Sequence, residues 1–234
     1  MATFEAQVVG LTGLTIDDSS APTRAELNQF LSDGAKEVLN SLPRSRQEMF
    51  TTSNELNSSS VSLTLLGSEV FSVTRDDGTI NQPCRKVPAS LNGRIRDSGD
   101  MMAATATDPA YYIVNNILSV VPEPSNSNNA HVQTLAYPAV SYTHELIAKF
   151  PDDGEYLVPL YASVKSLQNA IETTRALSNV QFDSSVTANT AEDIELASSH
   201  INAGNAYLSE IVSMEKQQAK LQADYEKGLA QLVR

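Results

Sequence analysis

The chain lacks most of the residues on which covalent or metal chemistry is built. Its 234 residues include one cysteine, three histidines and no tryptophan, and aromatics make up only 6%. A lone Cys84 cannot form an internal disulfide, and one thiol without His or Cys at ligand spacing is not a zinc site. Basic residues are also scarce, 16 Lys+Arg against 28 Asp+Glu, which leaves a net charge of −12. Duplex readers gain affinity from a net positive face, so sequence-specific DNA recognition is not expected. No apolar run approaches the ~18 residues that span a bilayer. Met1-Ala2-Thr3-Phe4-Glu5 shows no basic, apolar signal pattern, so a soluble product without membrane contact is expected. The 41% hydrophobic residues still suffice for a real core, in one elaborated domain or a domain with an appendage.

The periodicity changes twice along the chain. Residues 1–22 are acidic, with Glu5, Asp17 and Asp18 and no base, and read as an N-terminal arm. Thr23-Arg24-Ala25-Glu26 is a capping box, and Leu27, Phe30, Leu31, Ala35, Val38, Leu39 and Leu42 then keep one helical face until Pro43. A short helix over Arg44–Phe50 follows. After a Ser- and Asn-rich stretch, residues 61–142 read as strands: Val61, Leu63, Leu65, Val70 and Val73 alternate with polar residues, and Asp76-Asp77-Gly78 signals a turn. Tyr111–Val114 and Ile117–Val121 flank Asn115-Asn116 as a hairpin, and His131–Tyr137 reads as a further strand.

Helical spacing returns after Pro151, through Leu157, Leu160, Tyr161, Val164, Leu167, Ile171 and Thr174, over 155–178. Asp152 and Glu155 could cap it early, but Pro159 would then clash with the Glu155 carbonyl; a kink, or a start near Val158, resolves this. Residues 179–189 read as a Ser/Asn/Thr/Asp linker. Thr190-Ala191-Glu192-Asp193 then caps a long C-terminal helix, 190–234, with Gly204 and Gly228 as weak points. Ile194, Ala197, Ile201, Gly204, Leu208 and Ile211 form its apolar seam; Glu215, Gln218 and Gln222 interrupt it, and Tyr225, Leu229 and Leu232 resume it. The first half of this helix is expected to pack on the body and the distal half to meet another subunit or a partner. The fold class is α+β.

No motif of catalysis stands out. His131, His144 and His200 share no ligand spacing, Ser213-Met214-Glu215-Lys216 lacks the companions of an S-x-x-K hydrolase, and neither a phosphate loop nor a nucleophile elbow is present. We expect no enzyme activity, no metal and no cofactor. The one informative charge feature is 79–96, which carries Arg85, Lys86, Arg94 and Arg96 and no acid. It is either a solvated face that offsets nearby acids or a surface for an acidic partner or passing nucleic acid.

The run Ala106-Thr107-Asp108-Pro109-Ala110-Tyr111-Tyr112-Ile113, then Pro122-Glu123-Pro124, then Phe150-Pro151 leading to Leu157-Val158-Pro159-Leu160-Tyr161-Ala162-Ser163-Val164-Lys165, resembles virion structural proteins of marine tailed bacteriophages. The helix, β-insertion, helix layout is similar to their head-to-tail connectors, the adaptor or neck proteins beneath the portal. The helix ending at Pro43 and Val73-Thr74-Arg75-Asp76-Asp77-Gly78 extend the likeness over most of 24–175.

The resemblance implies a helical bundle (23–42 and 155–178) with an antiparallel β insertion (61–142), and a C-terminal helix that grips the portal or a neighbouring copy. It further implies a homo-oligomeric ring of twelve copies that joins the portal protein to a tail or nozzle protein. Genomic DNA would pass through without sequence-specific binding. The place of action would be the head-tail junction of the virion, with host cytoplasm before assembly. Candidate partner or subunit contacts are Arg85, Lys86, Arg94 and Arg96, with Leu208, Ile211, Tyr225, Leu229 and Leu232. Another tail, baseplate or fibre-attachment component, a virion-associated hydrolase, and a binding module with no assembly role are the alternatives.

Overall fold

A computed structural model describes residues 2–148, 150–190 and 194–233. The fold is α+β and divides into two compact units: residues 1–42 with 138–234, which are helical, and residues 43–137, which hold the strands. The β unit thus begins earlier and ends sooner than the expected 61–142.

In the helical unit, α1 (Phe4–Thr12) replaces the expected arm. Thr3 caps it by accepting from the Ala6 amide, and Phe4 and Val8, four residues apart, are buried on one face. The Phe4 and Glu5 amides, unpaired at a helix start, donate to the carbonyls of His144 and Tyr142. Arg24 reaches Glu5 at 3.2 Å and lies over the Tyr142 ring. The segment is acidic, but its charges lie outside the buried face, so net charge misleads where spacing does not.

Helix α2 (Arg24–Ser41) forms as its spacing predicts. The capping box is complete: Thr23 Oγ1 accepts from the Glu26 amide and Glu26 Oε2 accepts from the Thr23 amide at 2.8 Å. Leu27, Leu31, Ala35, Val38, Leu39 and Leu42 are buried. A short helix, α3 (Arg44–Gln47), and one 3-10 turn (Glu48–Phe50) follow, opening the β unit.

The β unit is a sandwich. One sheet orders β1 (Thr51–Leu56), β8 (Ala130–Leu135), β3 (Val70–Asp76) and β4 (Asn81–Pro83); the other orders β2 (Ser62–Thr64), β7 (Ile117–Val121), β6 (Ala110–Val114) and β5 (Arg85–Lys86). Pairing is antiparallel except for the two-residue parallel pair β5–β6. Leu56, Val73, Ala130 and Val132 from one sheet meet Leu118 and Val120 from the other. The second sheet is also covered on its outer face, where Ala110, Tyr112 and Val121 pack with Val87 and with Ile95 of α4 (Asn92–Arg96). Burial on both faces explains why 110–114 and 117–121 are almost continuously apolar. Asn115 and Asn116 take φ of 50° and 61°, as a tight hairpin demands. Asp77 closes the β3–β4 turn by accepting from the Thr79 and Ile80 amides.

Helix α5 (Leu157–Thr190) starts at Leu157, so Pro159 falls in the first turn, where an amide has no helical partner anyway. Glu155 does not cap it and instead accepts from the Ile147 amide. The larger correction concerns 179–189, which is helix and not linker. Ser184, Ser185 and Thr187 donate their hydroxyls to the carbonyls of Val180, Phe182 and Asp183, so these weak helix formers return their polar groups to the helix instead of competing with it. Packing against α6 (Ile194–Leu232) overrides propensity. The cap expected at Thr190 to Asp193 lies outside the described residues, save the Thr190 backbone that ends α5.

Helices α5 and α6 run antiparallel, with Ser178 against Gly204, Arg175 paired to Glu215, and Leu157 beside Gly228. A Cβ at Gly204 would stand 2.7 Å from the Phe182 ring, and one at Gly228 would stand 2.5 Å from Leu157 Cδ2 and overlap the Tyr156 hydroxyl. Both glycines permit close approach; neither is a weak point. Gly228→Ala is expected to destabilise the chain by ~1–3 kcal/mol through overpacking, read as a lower midpoint in urea unfolding.

Hydrogen bonds from the Thr23 amide and hydroxyl hold the Glu26 carboxyl below its ordinary range. A carboxylate lowered in the folded state stabilises it above the unfolded pKa of about 4.3, and that contribution is lost as pH falls through the folded value. The unfolding midpoint should therefore drop on acidification below about pH 4, and Glu26→Gln should remove part of that drop.

Candidate assembly surface

The basic stretch in the β unit is largely neutralised by acids that follow it in the chain. Arg85 pairs with Asp108 at 3.0 Å and also donates to the Met102 carbonyl at 2.6 Å. Arg94 makes two bonds to Asp100, at 2.8 and 3.1 Å, and holds that carboxyl below its ordinary range. Arg96 bonds Glu123 and the Tyr112 hydroxyl. Of the four predicted contacts only Lys86 has no carboxylate within ion-pair distance among the described residues. The stretch reads as basic only because its acids, at 100, 108 and 123, lie just beyond it. Arg75, which the sequence did not single out, is buried and donates to the carbonyls of Asp76 and Pro122.

Cys84 packs against the sandwich core, and burial pushes its thiol up to about 12, against a smaller opposing effect of Arg75. A thiol held protonated is a poor nucleophile. Native Cys84 should react with a thiol reagent at pH 8 at least ~100-fold more slowly than in urea; comparable rates would contradict its placement.

The predicted contacts on α6 divide. Ile211, Tyr225 and Leu232 are buried within the chain, Leu229 is half-buried, and Leu208 is 44% exposed. The distal part of α6, expected to lie off the body, packs on it, and the proximal part buries only small residues against α5. In the distal part Ile211, Met214 and Leu221 pack with Val164, Leu167, Ala170 and Ile171 of α5 and with Leu11 and Leu14, while Tyr225 meets the Tyr161 ring edge-on at 5.7 Å. After Ile211 the buried face steps by three to Met214 instead of by four to Glu215. That rotates Glu215 out to Arg175 and leaves Gln222 to bond Glu226.

The proximal part of α6 and the end of α5 are the exposed ones. Within 176–189 and 194–210 the buried residues are Ser178, Ser185, Ala188, Ala197 and Gly204, all small, with Phe182 half-buried among them. The large apolar side chains point outward: Leu177, Val180 and Val186 on α5, and Ile194, Leu196, Ile201, Leu208 and Val212 on α6. This outer hairpin inverts the usual burial order. Ile194, Ile201 and Leu208 belong to the predicted seam, yet one helix facing another covers only the narrower Ala197, Gly204, Ile211 row. Two parallel heptad rows, one of small residues and one of large, were the signal available in the sequence.

Other features carry no convergent chemistry. Among the described residues no three His, Cys, Asp or Glu side chains gather as a metal site, and no helix is long and apolar enough to cross a membrane. His144 Nδ1 accepts from the Ser141 amide and His200 Nδ1 pairs with Gln181. An open depression of about 520 Å³ in the helical unit is lined by the single segment Pro138–Ala148.

No protein-family model matches the chain, and no curated protein matches it.

Proposed function

We propose that the chain is a virion structural protein, a head-to-tail adaptor or neck subunit that joins a phage portal to the tail and leaves a channel for DNA. The observation that carries this reading is the outer α5–α6 hairpin, which turns eight large apolar side chains to solvent over a seam of small ones. Exposed apolar surface of this kind marks an interaction site. It suits a chain whose work is to be held by other subunits.

Two further features support the proposal. The β unit interrupts the helical unit between α2 and α5, as the resemblance to connectors implies. The arginines of 85–96 are engaged by Asp108, Asp100 and Glu123, so this stretch offers DNA no row of unpaired arginines. Phosphate affinity comes from counterions released by such cations, and a channel through which a genome slides works best without them.

Mixing the purified chain with portal rings of its phage and imaging by electron microscopy tests the proposal. Added density at the exit face of the portal, in register with its symmetry, is expected. Portal rings that remain bare at saturating concentrations would overturn it.

A further inference from the structure

We infer that the apolar row Ile194, Ile201, Leu208 and Val212 of α6 packs against the outer α5–α6 hairpin of a second copy of this chain. The inference rests on reading the outer hairpin as an assembly surface, and it names the partner.

Three observations select that partner. First, the row has the spacing of a helix-packing seam: Ile194, Ile201 and Leu208 recur every seven residues and Val212 lies one turn on, so they share a face ~27 Å long. Apolar knobs at this period fit holes on another helix. The outer hairpin is itself two long helices, so a second copy supplies the matching surface.

Second, the surface is almost without charge. Residues 176–190 and 194–212 contain three charged side chains, Asp183, Glu195 and Glu210, in a chain whose net charge is −12, and at ~100° per residue neither glutamate shares the face of Ile194, Ile201, Leu208 and Val212. Two such chains repel over most of their surfaces. They can approach where carboxylates do not meet, and this is the longest uncharged helical surface α6 offers. A basic, acidic or nucleic-acid partner would find nothing here to pair with.

Third, the size sets the strength. A face ~27 Å long and one helix wide, ~10 Å, offers ~270 Å² per copy and ~540 Å² in total, a weak contact that forms only at high local concentration. The outer hairpin also needs the contact: with Ser, Ala and Gly in its seam it buries little apolar area on its own, whereas burying four Ile, Leu and Val side chains gains substantially.

The test is sedimentation velocity on the whole chain from micromolar to millimolar concentration, with amide hydrogen exchange in parallel. Self-association is expected, together with slower exchange of residues 194–212 as concentration rises. The double variant Ile201→Asp and Leu208→Asp should weaken association by about 100-fold or more. Leu208→Ser alone should weaken it less, and circular dichroism should show helix content unchanged in both. Met101→Asp, at an exposed position in the β unit, should associate as the parent does.

A chain that stays monomeric throughout, or assembly that survives the double variant, overturns the inference. Monomers that still decorate portal rings would leave the adaptor reading standing and this one fallen. Self-association through α6 with bare portals would do the reverse.

Discussion

The close approach of α5 and α6 is the contact on which the helical unit depends. It is made possible at both ends by glycine, at Gly204 against Phe182 and at Gly228 against Leu157 and Tyr156. Between them, Val164, Leu167 and Ile171 meet Ile211, Met214 and Leu221 in the unit's apolar core. Helix α2 packs along the same part of α5, where Asn169 donates to Glu26 and so ties the α2 capping box to the seam. Helix α1 is held by Leu11, whose carbonyl accepts from Gln217 of α6. Remove the seam and α2 and the C-terminal end of α1 lose the helices they pack on.

That seam has two regimes. In the inner half, other elements flank the helix pair and large side chains are buried. In the outer half, a narrow row of Ser, Ala and Gly is all that the two facing helices cover. The large residues are therefore left outside by geometry, not by a shortage of apolar content. The charge distribution follows the same division, since α6 places Glu215, Lys216, Lys220, Asp224, Glu226 and Lys227 beyond the outer half, whose only charges on α6 are Glu195 and Glu210 near its two ends. Neutrality and apolar exposure coincide on one surface, which is the pattern of an interface core before its partner arrives.

Local rules made much of this visible in the sequence. The Thr23–Glu26 box, the stop at Pro43, the Asp76–Gly78 turn and the Asn115-Asn116 hairpin are each decided by a few neighbouring residues, and each is present in the structure. The failures share a cause. Strand β1 is Thr-Thr-Ser-Asn-Glu-Leu, an edge strand with only Leu56 buried, so it leaves almost no alternation to read. Residues 179–189 have the composition of a linker and are helical because α6 lies beside them. The phase of α6 after Ile211 depends on which neighbours cover it, and a one-residue change of phase exchanges Glu215 for Met214. The pairing of Arg85, Arg94 and Arg96 depends on loops that return acids from residues 100–123. Apart from the local Arg94–Asp100 pair, each feature is set by packing between segments distant in the chain, which a local pattern does not encode.

The interruption of the helical unit by the β unit has a consequence for the order in which the molecule comes into being. Residues 43–137 contain all their strand partners, so they can close as soon as they have been synthesised. The helical unit has to wait: α2 is made early, yet the side chains that complete the core around α5 lie beyond residue 210. The uncharged apolar row on α6 is likewise absent until translation has passed residue 212. A nascent chain therefore folds its β unit first and exposes the apolar row of α6 only late, when the rest of its body has been made.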